Sequence, residues 1–371
     1  MKLVIISSAP FIYKQNCVFG YSPYIDELII WQKHVDQIVF CCPTWGDDRG
    51  LLVTEIPFKI EKHYQLSDFN LNTLFNGLKA FFYSLSNLFV LYQAMRKADH
   101  IHLRCPGNIG LLGCIVQILF PKTPKSTKYA GNWDPKAKQP WTYQLQKWIV
   151  SNSFLTRNMQ VLVYGEWGGS SKNINPFFTA TYREAEIVSA LSRNWNNTIC
   201  FVFVGTLVIG KNPLYAVQLV EQFYKSGYDV QLTLYGDGVL RQSLEQYIVQ
   251  HDLESVVMLK GNQSKETIKN KYQDSHFVVL PSDSEGWPKV VAEGMFWGCI
   301  PLSTPVSCVP FMLDYGSRGV LLEMDLEKDC SQIEMLLSSP SRLAMMGENG
   351  TVWSRKYTVE FFESEIKKIL D

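Results

Sequence analysis

The sequence predicts an α/β protein made of two Rossmann-like, parallel-sheet domains, and three observations predict it. Short apolar, β-branched runs alternate with helical stretches along nearly the whole chain, the pattern of βαβ units. The chain has 371 residues, room for two domains at roughly 150 residues each. A segment rich in Gly, Ser, Asn and Thr, residues 165–197, separates two stretches that share this alternation. The hinge is placed near 175–197, with domains at 1–178 and 179–371.

In the first half, Leu3-Val4-Ile5-Ile6 empties into Ser7-Ser8-Ala9-Pro10 and reads as a buried strand ending in a loop. Helices are expected at 24–34, 71–97, 109–120 and 141–150, and strands at 37–41, 100–103, 127–130 and 160–164. The second half repeats the pattern more cleanly. A β-branched and aromatic strand at 198–204 ends at Gly205, and Pro213 suits the first turn of a helix running to 225. Leu214, Val217, Val220 and Tyr224 are expected on its buried face. Strands follow at 230–235, 256–259, 277–280, 299–303 and 319–322. Helices are expected at 240–250, 265–274, 288–298, 331–337, 342–346 and 359–370.

Composition removes several function classes. Hydrophobic residues make up 46% and charged residues 19%, which excludes intrinsic disorder. Thirty-five Lys and Arg balance 35 Asp and Glu, so no global field attracts nucleic acid. The nine cysteines are scattered without a C-x-x-C, indicating neither a disulfide framework nor a zinc site and favouring a cytoplasmic setting. The longest apolar stretch, 109–120, is too short for a membrane span.

Parallel sheets bind ligands in the crevice at the carboxyl ends of their strands, so the loops after strands carry the chemistry. The richest is Leu280-Pro281-Ser282-Asp283-Ser284-Glu285-Gly286-Trp287-Pro288-Lys289-Val290-Val291-Ala292-Glu293-Gly294. It reads as strand, polar loop and helix, with the free N–H groups of the helix mouth at the crevice. The helix dipole disfavours Lys289 in the first turn unless an anion binds there; the alternative is a solvated lysine. Glu285 stands before the helix and Glu293 about a turn and a half inside it, positions from which two carboxylates could accept hydrogen bonds from a sugar and from a ribose. A surface pair is the alternative. Gly236-x-Gly238 lacks the third glycine of a dinucleotide site. Asp283-Ser284-Glu285 could be a metal-binding Asp-x-Asp variant, but its place before a phosphate-type helix mouth favours a metal-free reading.

Pro-Ser-x-x-Glu-Gly-Trp-Pro-x-x-x-x-Glu-Gly at 281–294, followed by Gly298-Cys299-Ile300-Pro301, resembles the donor-binding motif of retaining glycosyltransferases of sequence family 4 (glycosyl transferases group 1), which have the GT-B fold. Phe203-Val204-Gly205 with Lys211-Asn212-Pro213, and Leu234-Tyr235-Gly236-Asp237-Gly238 with Arg241, follow in the family's order. The resemblance covers most of the C-terminal half and touches the N-terminal half only in outline. It implies two Rossmann-like domains facing across a crevice, with the C-terminal helix packing back toward the first. It implies a nucleotide-sugar donor, a carbohydrate or lipid-linked acceptor, polysaccharide or glycolipid biosynthesis, and no cofactor or metal. Among residues it implies that Lys211 binds the diphosphate and steadies the leaving group, Glu285 meets the transferred sugar and Glu293 holds the ribose. Gly286, Trp287, Pro288, Lys289 and Val290 would cradle diphosphate and sugar through their backbone; Gly205, Thr206 and Gly236 would line the phosphate loops, Gly261 and Asn262 the base, and Gly20 the phosphate from the other domain. Two departures stand out. The family's arginine after the first-loop glycine is Thr206 here, and the stretch Tyr129-Ala130-Gly131-Asn132-Trp133-Asp134-Pro135 has no histidine where the family tends to carry one. A non-catalytic nucleotide-sugar-binding partner subunit and a GT-B epimerase or phosphorylase are the alternative readings.

Phe75, Leu78, Phe81, Phe82, Leu85, Leu88, Phe89, Leu91, Tyr92 and Met95 crowd one helical stretch, with Lys79, Arg96 and Lys97 at its ends. The stretch is either core between a sheet and its neighbours or a face that dips into a lipid surface at the inner membrane face. The zero net charge gives the second reading no help. Trp133, Trp141, Trp148 and Trp167 are either sugar-stacking faces or core.

Overall fold

The computed structural model describes residues 1–15, 17–69, 74–169, 171–189 and 193–371, the side chains of 74–80 excepted. The chain divides into two units: Met1–Phe177 with Glu363–Asp371, and Phe178–Phe362.

Along the first unit come β1 (Lys2–Ile6), β2 (Phe11–Lys14), β3 (Cys17–Tyr21), α1 (Ser22–Gln32), β4 (Gln37–Cys42), β5 (Thr44–Trp45), β6 (Val53–Glu55), β7 (Lys62–Gln65) and α2 (Leu74–Met95). Then follow β8 (His100–Cys105), α3 (Asn108–Val116), β9 (Lys125–Tyr129), α4 (Trp141–Ser151), β10 (Met159–Tyr164) and β11 (Ile174–Phe177). Seven strands form a wholly parallel sheet in the order β11-β10-β9-β8-β1-β4-β7. Strands β1 and β4 are continuous apolar runs after their first residue because helices cover the sheet on both faces. Strand β8 divides its residues by side. Ile101, Leu103 and Cys105 pack with Leu91, Met95, Leu112 and Ile149 of α2, α3 and α4. His102 on the other side meets Trp31 of α1 at 4.3 Å between ring centroids.

On that α1 side lies a buried charge cluster. Glu27 accepts from Arg104 at 2.9 Å and from Lys128 at 2.7 Å. Burial pushes the Glu27 carboxyl up, but Lys128 and Arg104 outweigh it and hold it at about 2. Beside it Ser126 Oγ sits 2.8 Å from both His100 and His102.

A second, four-stranded sheet, β5-β2-β3-β6, was not expected from the sequence. Its β2–β3 hairpin pairs Ile12 with Phe19 in the segment read as a loop after Pro10. Helix α2 also settles one alternative. Leu91 and Met95 are buried, while Phe81, Phe82, Leu85, Phe89 and Tyr92 are exposed, so the crowded stretch is core on one side only. The side chains of Phe75, Leu78 and Lys79 lie outside the described residues. Trp133 is buried, whereas Trp141 and Trp148 are exposed.

The second unit runs β12 (Ile199–Val204), α5 (Pro213–Lys225), β13 (Val230–Tyr235), α6 (Arg241–Gln250), β14 (Val257–Leu259), α7 (Lys265–Asp274), β15 (Phe277–Leu280) and α8 (Lys289–Phe296). It continues through β16 (Ile300–Ser303), α9 (Val309–Met312), β17 (Val320–Leu321), α10 (Leu326–Leu337), α11 (Pro340–Ser354) and α12 (Val359–Leu370). The sheet is parallel, in the order β14-β13-β12-β15-β16-β17. Helix α5 begins at Pro213 as expected, but its buried stripe is Ala216, Val217, Leu219, Val220 and Phe223; Leu214 and Tyr224 are exposed. The expected face was rotated by about one residue, because Val217 and Val220 fit both stripes. Helix α8 stops at Phe296. Gly298, at φ 83°, closes it in a Schellman turn, with Gly298 N–H on Met295 O at 3.0 Å and Cys299 N–H on Gly294 O at 2.8 Å. Helix α12 begins in this unit and its last residues, 363–371, pack in the first, where Glu363 pairs with Lys33 at 2.7 Å.

Candidate functional site

Strand order in the second unit's sheet reverses between β12 and β15: the chain steps outward through β13 and β14 on one side and through β16 and β17 on the other. At such a reversal the loops after the two central strands diverge to opposite sides, leaving a crevice at their carboxyl ends. The loop after β12 carries Lys211 and the loop after β15 carries Glu285. They meet: Lys211 Nζ and Glu285 Oε1 form an ion pair, 29% and 10% exposed respectively.

The two loops are tied by backbone as well. Asp283 N–H donates to Gly210 O at 2.9 Å. The Asn212 side-chain amide donates to Pro281 O at 2.9 Å and to Asp283 Oδ1 at 2.7 Å. Asn212 itself lies in the left-handed region, φ 48° and ψ 47°, which turns the chain from the Lys211 loop into α5. On the far side of the β15 loop, Thr304 Oγ1 donates to Ser282 O, and Ser307 Oγ donates to Gly286 O at 3.0 Å. Glu285 is thus presented on a braced turn.

Past Glu285, Trp287 is buried, its ring stacked on Trp353 at 6.0 Å and edge-on to Tyr357 at 5.5 Å. Its side chain anchors the loop to the helices behind. Pro288 is the N-cap of α8, so the helix starts one residue later than expected. Among the described residues the N–H groups of Lys289 and Val290 find no acceptor, as first-turn donors do not within their own helix. Lys289 makes no ion pair among the described residues and, one helical turn before Glu293, opens onto the same small pocket, lined also by Thr181, Tyr182 and Ser354.

Glu293 already has partners. Thr181 Oγ1 donates to Oε1 at 2.7 Å and Tyr272 OH to Oε2 at 3.3 Å. Burial, with the Glu293 charge beside it, pushes the Tyr272 phenol well above its ordinary pKa and keeps it a donor. Neither partner was found in the sequence. They lie 112 and 21 positions from Glu293, beyond any local spacing signal.

Gly205, Gly236 and Gly261 knit the neighbouring loops together. Gly205 N–H donates to Tyr235 O and Gly236 N–H to Gly261 O, each at 2.9 Å. Gly236 has φ 134°, and a Cβ there would stand 1.9 Å from Gly205 O, so only glycine allows the approach. Thr206 and Asn262 are exposed. Gly20 belongs to the chain's first unit, inside β3 opposite Thr54 and against Ile25. Asn132 and Asp134 form a turn of their own, Asp134 N–H donating to Asn132 Oδ1 at 2.9 Å. Among the described residues no three His, Cys, Asp or Glu cluster as metal ligands would, and no helix is long and apolar enough to cross a membrane.

What the arrangement offers is a lysine, free helix-mouth donors and two carboxylates at one sheet edge, a set suited to an anion with hydroxyl groups beside it. Residues 191–353 match the family described as Glycosyl transferases group 1. An uncharacterized glycosyltransferase of Methanocaldococcus jannaschii is 26% identical over 171 residues, 46% of this chain and 47% of that protein. The chain's matches span about half the length, or less, of the curated relatives. The solved structure of Anabaena HepE in complex with UDP superposes with a TM-score of 0.69 at 13% identity, covering 100% of this chain and 98% of that one. A glycosyltransferase from Rickettsia africae gives a TM-score of 0.67 at 12% identity, with 100% and 98% covered. Residues 191–353, within the second unit, thus match the glycosyl transferases group 1 family, and the chain as a whole has the GT-B fold.

Proposed function

We propose that this chain is a glycosyltransferase that moves a sugar, with retention at its anomeric carbon, from a nucleoside-diphosphate sugar to a hydroxyl of a carbohydrate or lipid-linked acceptor. The observation that carries the proposal is the meeting of Lys211 and Glu285 at the strand-order reversal, beside the open mouth of α8. The complex of HepE with UDP supports a uridine-type donor.

In this reading Lys211 and the Lys289 and Val290 N–H groups take the diphosphate. As the anomeric C–O bond stretches, negative charge grows on the leaving phosphate and these donors stabilise it. Glu285 orients the sugar hydroxyls, Glu293 accepts from the ribose, and the acceptor hydroxyl attacks on the face from which the phosphate leaves, giving its proton to the departing phosphate oxygen. Lysine and backbone donors take the place of a divalent ion, so transfer is expected to survive excess chelator.

Thr206 supports a second reading. An exposed threonine at the position of the family's arginine leaves the diphosphate one cation short, which suits a subunit that binds nucleotide-sugar without transferring it. One experiment separates the two: incubation with radiolabelled UDP-sugars and an acceptor extract, with and without chelator, alongside calorimetric binding. Labelled product establishes the transferase, binding without product establishes the subunit, and neither overturns both.

A further inference from the structure

The first unit carries a surface that the transfer chemistry leaves unexplained. The outer face of α2 exposes Phe81, Phe82, Leu85, Phe89 and Tyr92, with Phe82 67% and Phe89 63% accessible. Next to it, beyond the end of α3, Leu119 is 65% accessible, and Phe120 reaches Tyr92 at 5.5 Å between ring centroids. On α4, which packs on α3 in the same helical layer, Trp148 is 60% accessible, and Phe154 just past the helix is 72% accessible. A water-facing layer needs none of these aromatics, because the inward side chains of the three helices already fill the core.

Charge on this layer is one-sided. Between Phe69 and Gly165, leaving out Arg104 and Lys128, which turn to Glu27 on the α1 side of the sheet, the chain has nine Lys and Arg against two acids, Asp99 and Asp134, although the whole chain is neutral. Helices α2, α3 and α4 contain no acidic residue. Of the basic residues, Arg96, Lys97, Lys122, Lys136, Lys138 and Arg157 are exposed. Asp99 is turned to the Lys2 N–H at 2.7 Å, and Asp134 to the Lys136 N–H at 2.8 Å. Overall neutrality, which gave a lipid-facing reading no help, conceals this local excess.

We propose that the outer face of α2, α3 and α4 docks on an anionic lipid surface, with the aromatics entering the headgroup boundary and the basic residues meeting lipid phosphates. Aromatic and leucine side chains with Lys and Arg beside them are what an interfacial helix presents to such a surface. Each basic residue near an anionic leaflet multiplies partitioning about fivefold. A second copy of this chain is a poorer occupant, because a two-fold contact would set the basic residues against themselves. The proposal does not depend on the transferase reading, and its test does not use transfer.

The test is flotation of the whole protein with vesicles of equal parts phosphatidylcholine and phosphatidylglycerol, against phosphatidylcholine alone. The protein should float with the anionic vesicles, remain behind with the neutral ones, and be released by salt at about 0.5 M. Phe82→Ser with Phe89→Ser should lower partitioning more than about tenfold, and Lys97→Glu with Lys122→Glu should lower it comparably. All four positions are exposed, so circular dichroism and melting of the variants should match the parent. No binding to anionic vesicles, or binding unmoved by the phenylalanine pair, overturns the proposal. So does a wild-type dimer in sedimentation equilibrium that the phenylalanine pair dissolves, which would assign the face to self-association.

Discussion

Lys211 and Glu285 neutralise each other across the crevice at the point where strand order reverses in the second unit's sheet. The proposed diphosphate ligand therefore has to displace a carboxylate from the lysine before it can use it. Glu285→Gln keeps the shape and removes the competing charge. Free UDP should bind this variant more tightly, by about 1 kcal/mol given the partial exposure of the pair, while sugar transfer falls. Calorimetry and turnover on the same preparation check both. Weaker UDP binding would show that Glu285 helps the lysine rather than occupying it.

Lys211→Ala leaves the diphosphate with only the α8 mouth and Lys289. Loss of one transition-state donor costs about 10²–10³ in turnover, and with Thr206 supplying no cation the loss should reach the top of that range. Lys289→Ala should cost less, because the N–H groups beside it survive. The kcat values of the two variants decide it, and retention of more than about a tenth of the activity by Lys211→Ala removes the lysine from this role.

Glu293→Gln should weaken UDP by roughly 1.5–3 kcal/mol, the worth of a charged hydrogen-bond acceptor. Thr181→Val touches the carboxylate but not the proposed ligand, and should cost only about 1 kcal/mol. Isothermal titration with UDP separates the two. Unchanged affinity in a folded Glu293→Gln variant would leave the carboxylate as a structural acceptor for Thr181 and Tyr272.

Thermal stability should fall as pH drops from 6.5 toward 4.5. Burial lowers His100 to about 4 and, with Arg104 adding to it, lowers His102 well below its ordinary value. Both bind a proton more readily unfolded than folded, so acid favours the unfolded chain, by up to about 1.4 kcal/mol per pH unit for each histidine. Glu27, held at about 2, adds its own loss only below about pH 4.5, so the upper window belongs to the histidines. Melting curves at pH 7, 6 and 5 test this, and a flat or rising melting temperature on acidification contradicts it.

The six-stranded sheet of the second unit was legible in the sequence because its strands are short apolar runs closed by Gly205, Gly236 or Pro281, and because Pro213 marks a helix start. The β2–β3 hairpin was not. Phe11-Ile12-Tyr13-Lys14 buries two residues and exposes two, so it has neither the alternation of a half-buried strand nor the continuity of a buried one. The pairing of β5 and β6 with this hairpin rests on segments of two and three residues, too short for any periodicity. At the site, Lys211, Glu285 and Glu293 stood in motifs, yet their partners did not. The Lys211–Glu285 pair joins residues 74 apart in the chain, and only the strand order brings them together. The basic excess between Phe69 and Gly165 was hidden for a different reason: a net charge of zero averages over the whole chain, and the excess shows only when that stretch is counted by itself.

Asn212 meets two demands at once, and together they narrow what can stand there. Glycine would accept the left-handed backbone but could not hold Pro281 and Asp283. Aspartate tolerates the backbone, but it would set a carboxylate against a carbonyl and a second carboxylate. Glutamine and histidine can donate, but each must adopt a left-handed φ without asparagine's short, well-placed amide. Saturation mutagenesis scored by folding and transfer should therefore find position 212 among the least substitutable in the second unit, although no substrate atom need ever touch it.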